Sequence, residues 1–176
     1  MKTVRLTAGI LYYISRSAAL LFWITAVYAS VVLLLSYYFP AFSLPVKVEE
    51  WGRFIIYYPF TETPFLLGDY TSSYVVINFF TVAFYGLFLW LLSDVFNTFR
   101  EQKLFTQKGV LRLSRFYSIN LLVPVLFIGL LLLFSQEAGD MIRIMFLHLV
   151  IGIFAFFMAA IFTHGLELQQ EQDLTF

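Results

Sequence analysis

Cysteine is absent from the 176-residue chain, which excludes disulfides, thiolate nucleophiles and sulfur-ligated metal sites together. Charge is scarce: Asp, Glu, Lys and Arg make up only 12% of the residues, about half the share of a soluble domain. The formal net charge is +0, so there is no global basic field to hold nucleic acid, and direct nucleic-acid binding is not expected. Histidine occurs twice, at His148 and His164. On one helix those positions point to nearly opposite sides and lie far apart along the axis, so they cannot share a ligand. No serine sits in a glycine elbow and no glycine-rich loop could cradle a phosphate. The centres of the long apolar runs carry no acid that would mark a proton or ion path. No internal repeat supports an inverted-repeat transporter.

What is present is hydrophobic residue, 61% of the chain, with 20% aromatic and a mean hydropathy of +0.84. A helix needs roughly 20 residues to cross a hydrocarbon core about 30 Å thick. Four runs satisfy this: Ser17 to Phe39, Tyr74 to Ser93 with an extension toward Arg100, Phe116 to Phe134, and Ile144 to Gly165. Inside lipid each backbone polar group must be paired within its own segment, so these runs read as helices; barrel strands would alternate. The expected fold is therefore an all-α membrane protein, a four-transmembrane-helix bundle in a single integral membrane domain over residues 1–176. Its parts are a first span over about 17–39, an outer loop over 40–73, a second span over about 74–98 and a connection over 99–112. A third span over about 113–135, a fourth over about 141–166 and a tail over 167–176 complete it. The basic start MKTVRL could suggest a signal peptide, but the uncharged stretch after Arg16, running to Val46, far exceeds an h-region and offers no well-placed small-x-small cleavage site.

Lys2, Arg5 and Arg16 precede the first span, and Arg100, Lys103, Lys108, Arg112 and Arg115 lie between the second and third. The other two connections hold only Lys47, Arg53 and Arg143. The positive-inside rule then puts both termini and the middle connection in the cytoplasm. The outer loop contains PVKVEEW, which alternates apolar and polar residues, and RFIIYYPF, rich in β-formers. It reads either as a short β-hairpin on the outer surface, with Trp51, Tyr57, Tyr58 and Phe60 among the headgroups, or as an aromatic loop that caps the bundle. The tight polar turn Ser135 to Asp140 makes the third and fourth helices antiparallel neighbours.

A few residues interrupt the apolar spans. Pro124 leaves the carbonyl of Asn120 without its usual donor and predicts a kink. Asn120, a polar side chain at lipid depth, should face the bundle. Ala155 and Ala159, with Gly152 nearby, form a small-residue face that another helix could approach closely. His164 and Glu167, at i and i+3, share a face. That spacing occurs in metal sites of helix bundles, but such sites recruit a second copy of the motif, and the chain has none. A hydrogen-bonded pair at the membrane boundary is the simpler expectation, and neither metal nor cofactor is expected.

Polar chemistry concentrates on the expected cytoplasmic face. Thr106 can cap a helix restarting after Phe105, and Lys108, Arg112 and Arg115 then form a basic stripe. Such a stripe is also what anionic headgroups favour. If the fourth helix continues past Gly165, then His164, Glu167, Glu171 and Leu174 line one face. Glu167 is expected to pair with Arg112 or Arg115, leaving Glu171 and Asp173 farther out.

The connection, with its KLFT start and VLRLSRF helix opening, and the ending HGLELQQEQDLTF together resemble the YoaS-like bacterial membrane proteins, domain-of-unknown-function family 2975. The similarity spans roughly Asp94 to Phe176, with a looser likeness in YPFTETPFLLGDYT. Members are small four-helix membrane proteins that often end in E-x-x-x-E/N-D-L-T-[VI]. Asp173, Leu174 and Thr175 stand at that motif's positions, with Glu167 one residue before its first glutamate, and Phe105, Thr106, Arg112 and Arg115 stand at those of the connection; Phe176 departs from the usual aliphatic end. The resemblance assigns no catalytic role. It implies a genetic neighbour, a small helix-turn-helix regulator of the Cro/C1 type, and so a protein partner on the cytoplasmic side. The expected function is a non-catalytic regulatory or interaction protein in the lipid bilayer, which the resemblance makes a bacterial inner membrane, free to form a homo-oligomer; the alternative is a small oligomeric transporter or channel subunit. A third reading, an enzyme holding a metal at His164 and Glu167, predicts metal in the purified protein.

Overall fold

A computed structural model describes residues 2–39, 45–49, 52–134 and 139–173. Their elements run α1 (Lys2–Tyr38), β1 (Val46–Val48), β2 (Arg53–Tyr57), β3 (Pro64–Asp69), α2 (Ser72–Arg100), α3 (Gln107–Phe134) and α4 (Gly139–Asp173). All four helices are long and apolar enough to cross a membrane. They exceed the hydrophobic runs: α1 begins at Lys2, so Arg5 and Arg16 lie within it, and α4 continues through Glu167 and Glu171. Good helix formers such as Leu, Gln and Glu carry the turns beyond the last apolar run. Leu174 and Thr175, like Trp51, lie outside the described residues.

The chain divides into two compact units, residues 18–87 and residues 1–17 with 88–176. In the first, the loop after α1 is a three-stranded antiparallel sheet of order β1-β2-β3, which extends the hairpin alternative by one strand. Its register pairs Val46 with Ile56 and Ile55 with Leu67, and shifts between Ile56 and Tyr57. Gly52, at φ 74°, takes the left-handed backbone that glycine tolerates as the chain enters β2. Alternation along β2 sends Phe54 and Ile56 inward, where both are fully buried against Ala29, Val32 and Leu33 of α1. The Tyr28 hydroxyl donates to the Tyr57 carbonyl at 2.6 Å and ties the strand to the helix.

In the second unit α3 and α4 pack along their length. Leu113 meets Ala159 and Phe162 in one cluster, Tyr117 lies edge-on to Phe156, and Asn120 meets His148. As α3 numbers rise the facing α4 numbers fall, which is the expected antiparallel arrangement. The small face of α4 is used here: Ala155 and Ala159 are buried. A Cβ on Gly152 would meet Leu121 at 2.8 Å and the carbonyl carbon of Asn120 at 3.2 Å. α3 runs through Pro124 as one helix, and Pro124 is fully buried.

Candidate functional site

Local sequence builds the arginine-bearing end of the second unit. The Gly109 amide donates to Thr106 Oγ1 at 3.1 Å and the Val110 amide to the Thr106 carbonyl at 3.1 Å, so Thr106 caps α3 as its residue type favours. Phe105, one residue earlier, lays its ring on Gly165, where an added Cβ would meet it at 2.6 Å. It also stacks edge-on against Phe162 at 5.3 Å between ring centres. The connection and the end of α4, distant in sequence, thus share one apolar contact.

Four arginines converge on this end. Arg16 donates to Asp94 Oδ1 at 3.3 Å and to the Ser93 hydroxyl at 3.1 Å, while its guanidinium carbon lies 3.1 Å from the centre of the Trp90 ring. Both side chains of the ion pair are 25% exposed. Arg112 binds Glu101 Oε1 at 2.6 Å. Arg5 donates to the Gln102 carbonyl at 3.0 Å. Arg100 stacks over Tyr12 at 4.8 Å and reaches Tyr13 at 5.7 Å. Lys108 and Arg115 stay exposed, without an ion-pair partner among the described residues.

The expected pairing of Glu167 with Arg112 or Arg115 is corrected. Glu101, at the first bend after α2, faces the first turns of α3 across the short connection and captures Arg112. Glu167 instead meets its helical neighbour His164, Nδ1 to Oε2 at 3.2 Å, the boundary pair that the i, i+3 spacing favours. No group of three or more metal-binding side chains occurs among the described residues. Glu171 lies exposed on the last turns of α4, and Asp173 closes that helix.

Deeper in the unit, Asn120 and His148 form a buried polar pair, 0% and 3% exposed. Asn120 Nδ2 donates to the Phe116 carbonyl at 2.8 Å, which leaves Oδ1 to accept from His148 Nδ1 at 3.0 Å. Those roles place the neutral ring's proton on Nδ1. Phe88 covers the imidazole edge-on at 4.8 Å. Each side chain answers the other's hydrogen-bonding need, which lipid would not.

Sequence reasoning foresaw Asn120 but missed Arg16 with Trp90, Ser93 and Asp94. The signal was available: Trp90, Ser93, Asp94, Asn97 and Glu101 recur at helical spacing and mark one polar face of α2. Asn97 Oδ1 on that face is buried with no hydrogen-bond partner among the described residues.

A groove of about 720 Å³ runs beside the end of α4. Phe105, Phe157 and Ile161 line its apolar part, and His164, Gln169 and Gln172 its polar part. Leu168, 60% exposed, stands between them.

No curated protein and no solved structure matches the chain. A family described as "Protein of unknown function (DUF2975)" matches residues 6–176, well beyond the half from Asp94 onward where the resemblance was read. Four apolar helices and a match over nearly the whole chain agree with that resemblance, and the protein belongs to the DUF2975 family.

Proposed function

We propose that this is a non-catalytic regulatory protein of a bacterial inner membrane, with both termini cytoplasmic, whose cytoplasmic face binds a small helix-turn-helix regulator. The observation that carries the reading is the groove along the last turns of α4. At 1.5 Å per residue the 35 residues of α4 extend about 52 Å, more than a bilayer with its headgroups, so the helix end stands in water. There Leu168 remains exposed beside Gln169 and Gln172, an apolar knob in a polar rim. Such a surface suits the apolar face of an amphipathic helix, the kind of element a small all-α regulator presents. The identity of the partner follows the family resemblance.

Co-purification tests it. The full chain should retain a helix-turn-helix regulator encoded beside it, whereas Leu168→Glu and a chain truncated before Glu167 should lose it while keeping their helix content. Equal recovery with all three chains, or none with any, removes the proposal.

A further inference from the structure

Four arginines share one end of the same unit, but only two of them have acids. Arg16 takes Asp94 and Arg112 takes Glu101. Arg5 gives one donor to a backbone carbonyl, and Arg100 stacks on tyrosine rings and makes no hydrogen bond among the described residues. These two are neighbours. Arg5 and Gly9 are one turn apart on α1, and the Arg100 side chain passes 3.7 Å from where a Cβ on Gly9 would stand. Arg5 reaches the carbonyl of Gln102, two residues beyond Arg100. Both nearby acids are already engaged, so two guanidinium groups, and Lys2 and Lys103 close by in sequence, are left without a counter-charge from the described residues.

Depth explains the division. The 29 residues of α2 extend about 43 Å, the thickness of a bilayer with its headgroups, about 40–45 Å. Arg100, the last residue of α2, therefore stands at headgroup level. Asp94 lies six residues further in, about 9 Å deeper, near the hydrocarbon edge. A guanidinium at that depth needs a carboxylate and a ring face, which Arg16 has. One at headgroup level can take its anion from the lipid. The surroundings suit a lipid more than a free ion. Beside the face of α1 that carries Arg5, Gly9 and Tyr12, the side chains of Leu6, Ile10 and Tyr13 form a second stripe at i, i+4 and i+7, all more than half exposed.

We infer that Arg5 and Arg100 form a binding site for the phosphate of an anionic phospholipid, with Tyr12 seating the Arg100 fork and the Leu6–Ile10–Tyr13 stripe lying along the acyl chain. Arginine suits the role because its planar fork of N–H donors matches phosphate oxygens two at a time. The inference rests on the chain spanning a membrane and is independent of the regulator.

The test uses the purified full-length chain in neutral detergent, titrated with phosphatidylglycerol, with phosphatidylcholine of the same acyl chains, and with inorganic phosphate. Bound lipid is counted by native mass spectrometry. Wild type should bind one phosphatidylglycerol in preference to phosphatidylcholine. Arg5→Gln/Arg100→Gln should weaken that binding about tenfold to thirtyfold, the factor to which two basic side chains at an anionic surface convert. Arg100→Lys, which keeps the charge but loses the fork, should fall between, and Lys108→Gln/Arg115→Gln, which removes the same charge away from Tyr12, should weaken binding less than the double arginine variant. Equal binding of the two lipids, undiminished binding by the double arginine variant, or full displacement by millimolar inorganic phosphate would each overturn the assignment.

Discussion

Residues 18–87 bury Phe54, Ile56, Ala29, Val32 and Leu33 against one another, whereas the unit of residues 1–17 and 88–176 buries Ser15, Ser93, Thr98, Asn120 and His148 among its apolar side chains. All five buried polar residues among those described belong to the second unit. The first holds its sheet by strand pairing and by aromatic contacts such as Tyr28 on Phe65 and Tyr58 on Phe65. The second also places polar side chains and charges inside, and matches Arg16 to Asp94, Arg112 to Glu101 and Asn120 to His148. An apolar core is tolerant of where its members come from; a matched pair is not. The difference predicts that substitutions in the two units fail in different ways.

The largest effect should follow Phe54→Ala. Removing a fully buried ring costs about 3–5 kcal/mol, and this ring also contacts Tyr70 and Tyr74. If the units are held separately, the loss should stay local. Hydrogen exchange in detergent should accelerate over residues 46–69 and around Ala29 to Leu33, and leave peptides containing Asn120 and His148 at their original rates. Uniform acceleration would show that the two cores fold as one.

Asp94→Ala should come next, because it leaves Arg16 largely covered without its carboxylate. Breaking a fully buried pair costs about 3–5 kcal/mol and an exposed one about 0–1, so this three-quarters covered pair should cost about 2 kcal/mol. Thermal unfolding in detergent measures the loss, and Arg16→Leu/Asp94→Leu should recover most of it. A double variant no more stable than Asp94→Ala would mean that Arg16 is held by Trp90 and Ser93 alone.

Asn120→Leu tests the buried pair on a smaller scale. Polar contacts between membrane helices are worth about 0.6 kcal/mol on average and rarely exceed about 1.7. A double-mutant cycle with His148→Leu should return a coupling in that range. A coupling of zero would reduce the 3.0 Å contact to coincidence.

How much of this could be read beforehand depended on whether the cause was local. The four helices were legible because runs of apolar residues long enough to cross lipid permit little else. β1 and β2 were legible as one of two alternatives, from the alternation in PVKVEEW and the β-formers of RFIIY, but β3, PFLLGD, was not. Its Pro64 and Gly68 argue against a strand, yet Gly68 is what lets the strand lie against rings: a Cβ there would run into the rings of Tyr74 and Phe54. The inward turn of Asn120 and the cap at Thr106 were likewise local matters. Partner choice among charges was not. Arg112 had acids on either side of it in the sequence, and only the path of the connection decides that Glu101 arrives first.

That choice leaves the smallest and most discriminating prediction. Had Glu167 joined Arg112, its removal would have stranded a largely covered cation and cost about as much as the loss of Asp94 from Arg16. In its observed place the Glu167 side chain is 58% exposed and its His164 partner 84% exposed. Exposed i, i+3 pairs contribute only about 0.2–0.5 kcal/mol. Glu167→Ala should therefore shift the unfolding midpoint barely beyond error, while Glu101→Ala, which does strand Arg112, should shift it several times as far. Equal shifts would put Glu167 back beside the arginines. If Glu167→Ala also abolishes capture of the regulator without moving the midpoint, the acid end of α4 is a binding surface, separate from the side chains that hold the fold.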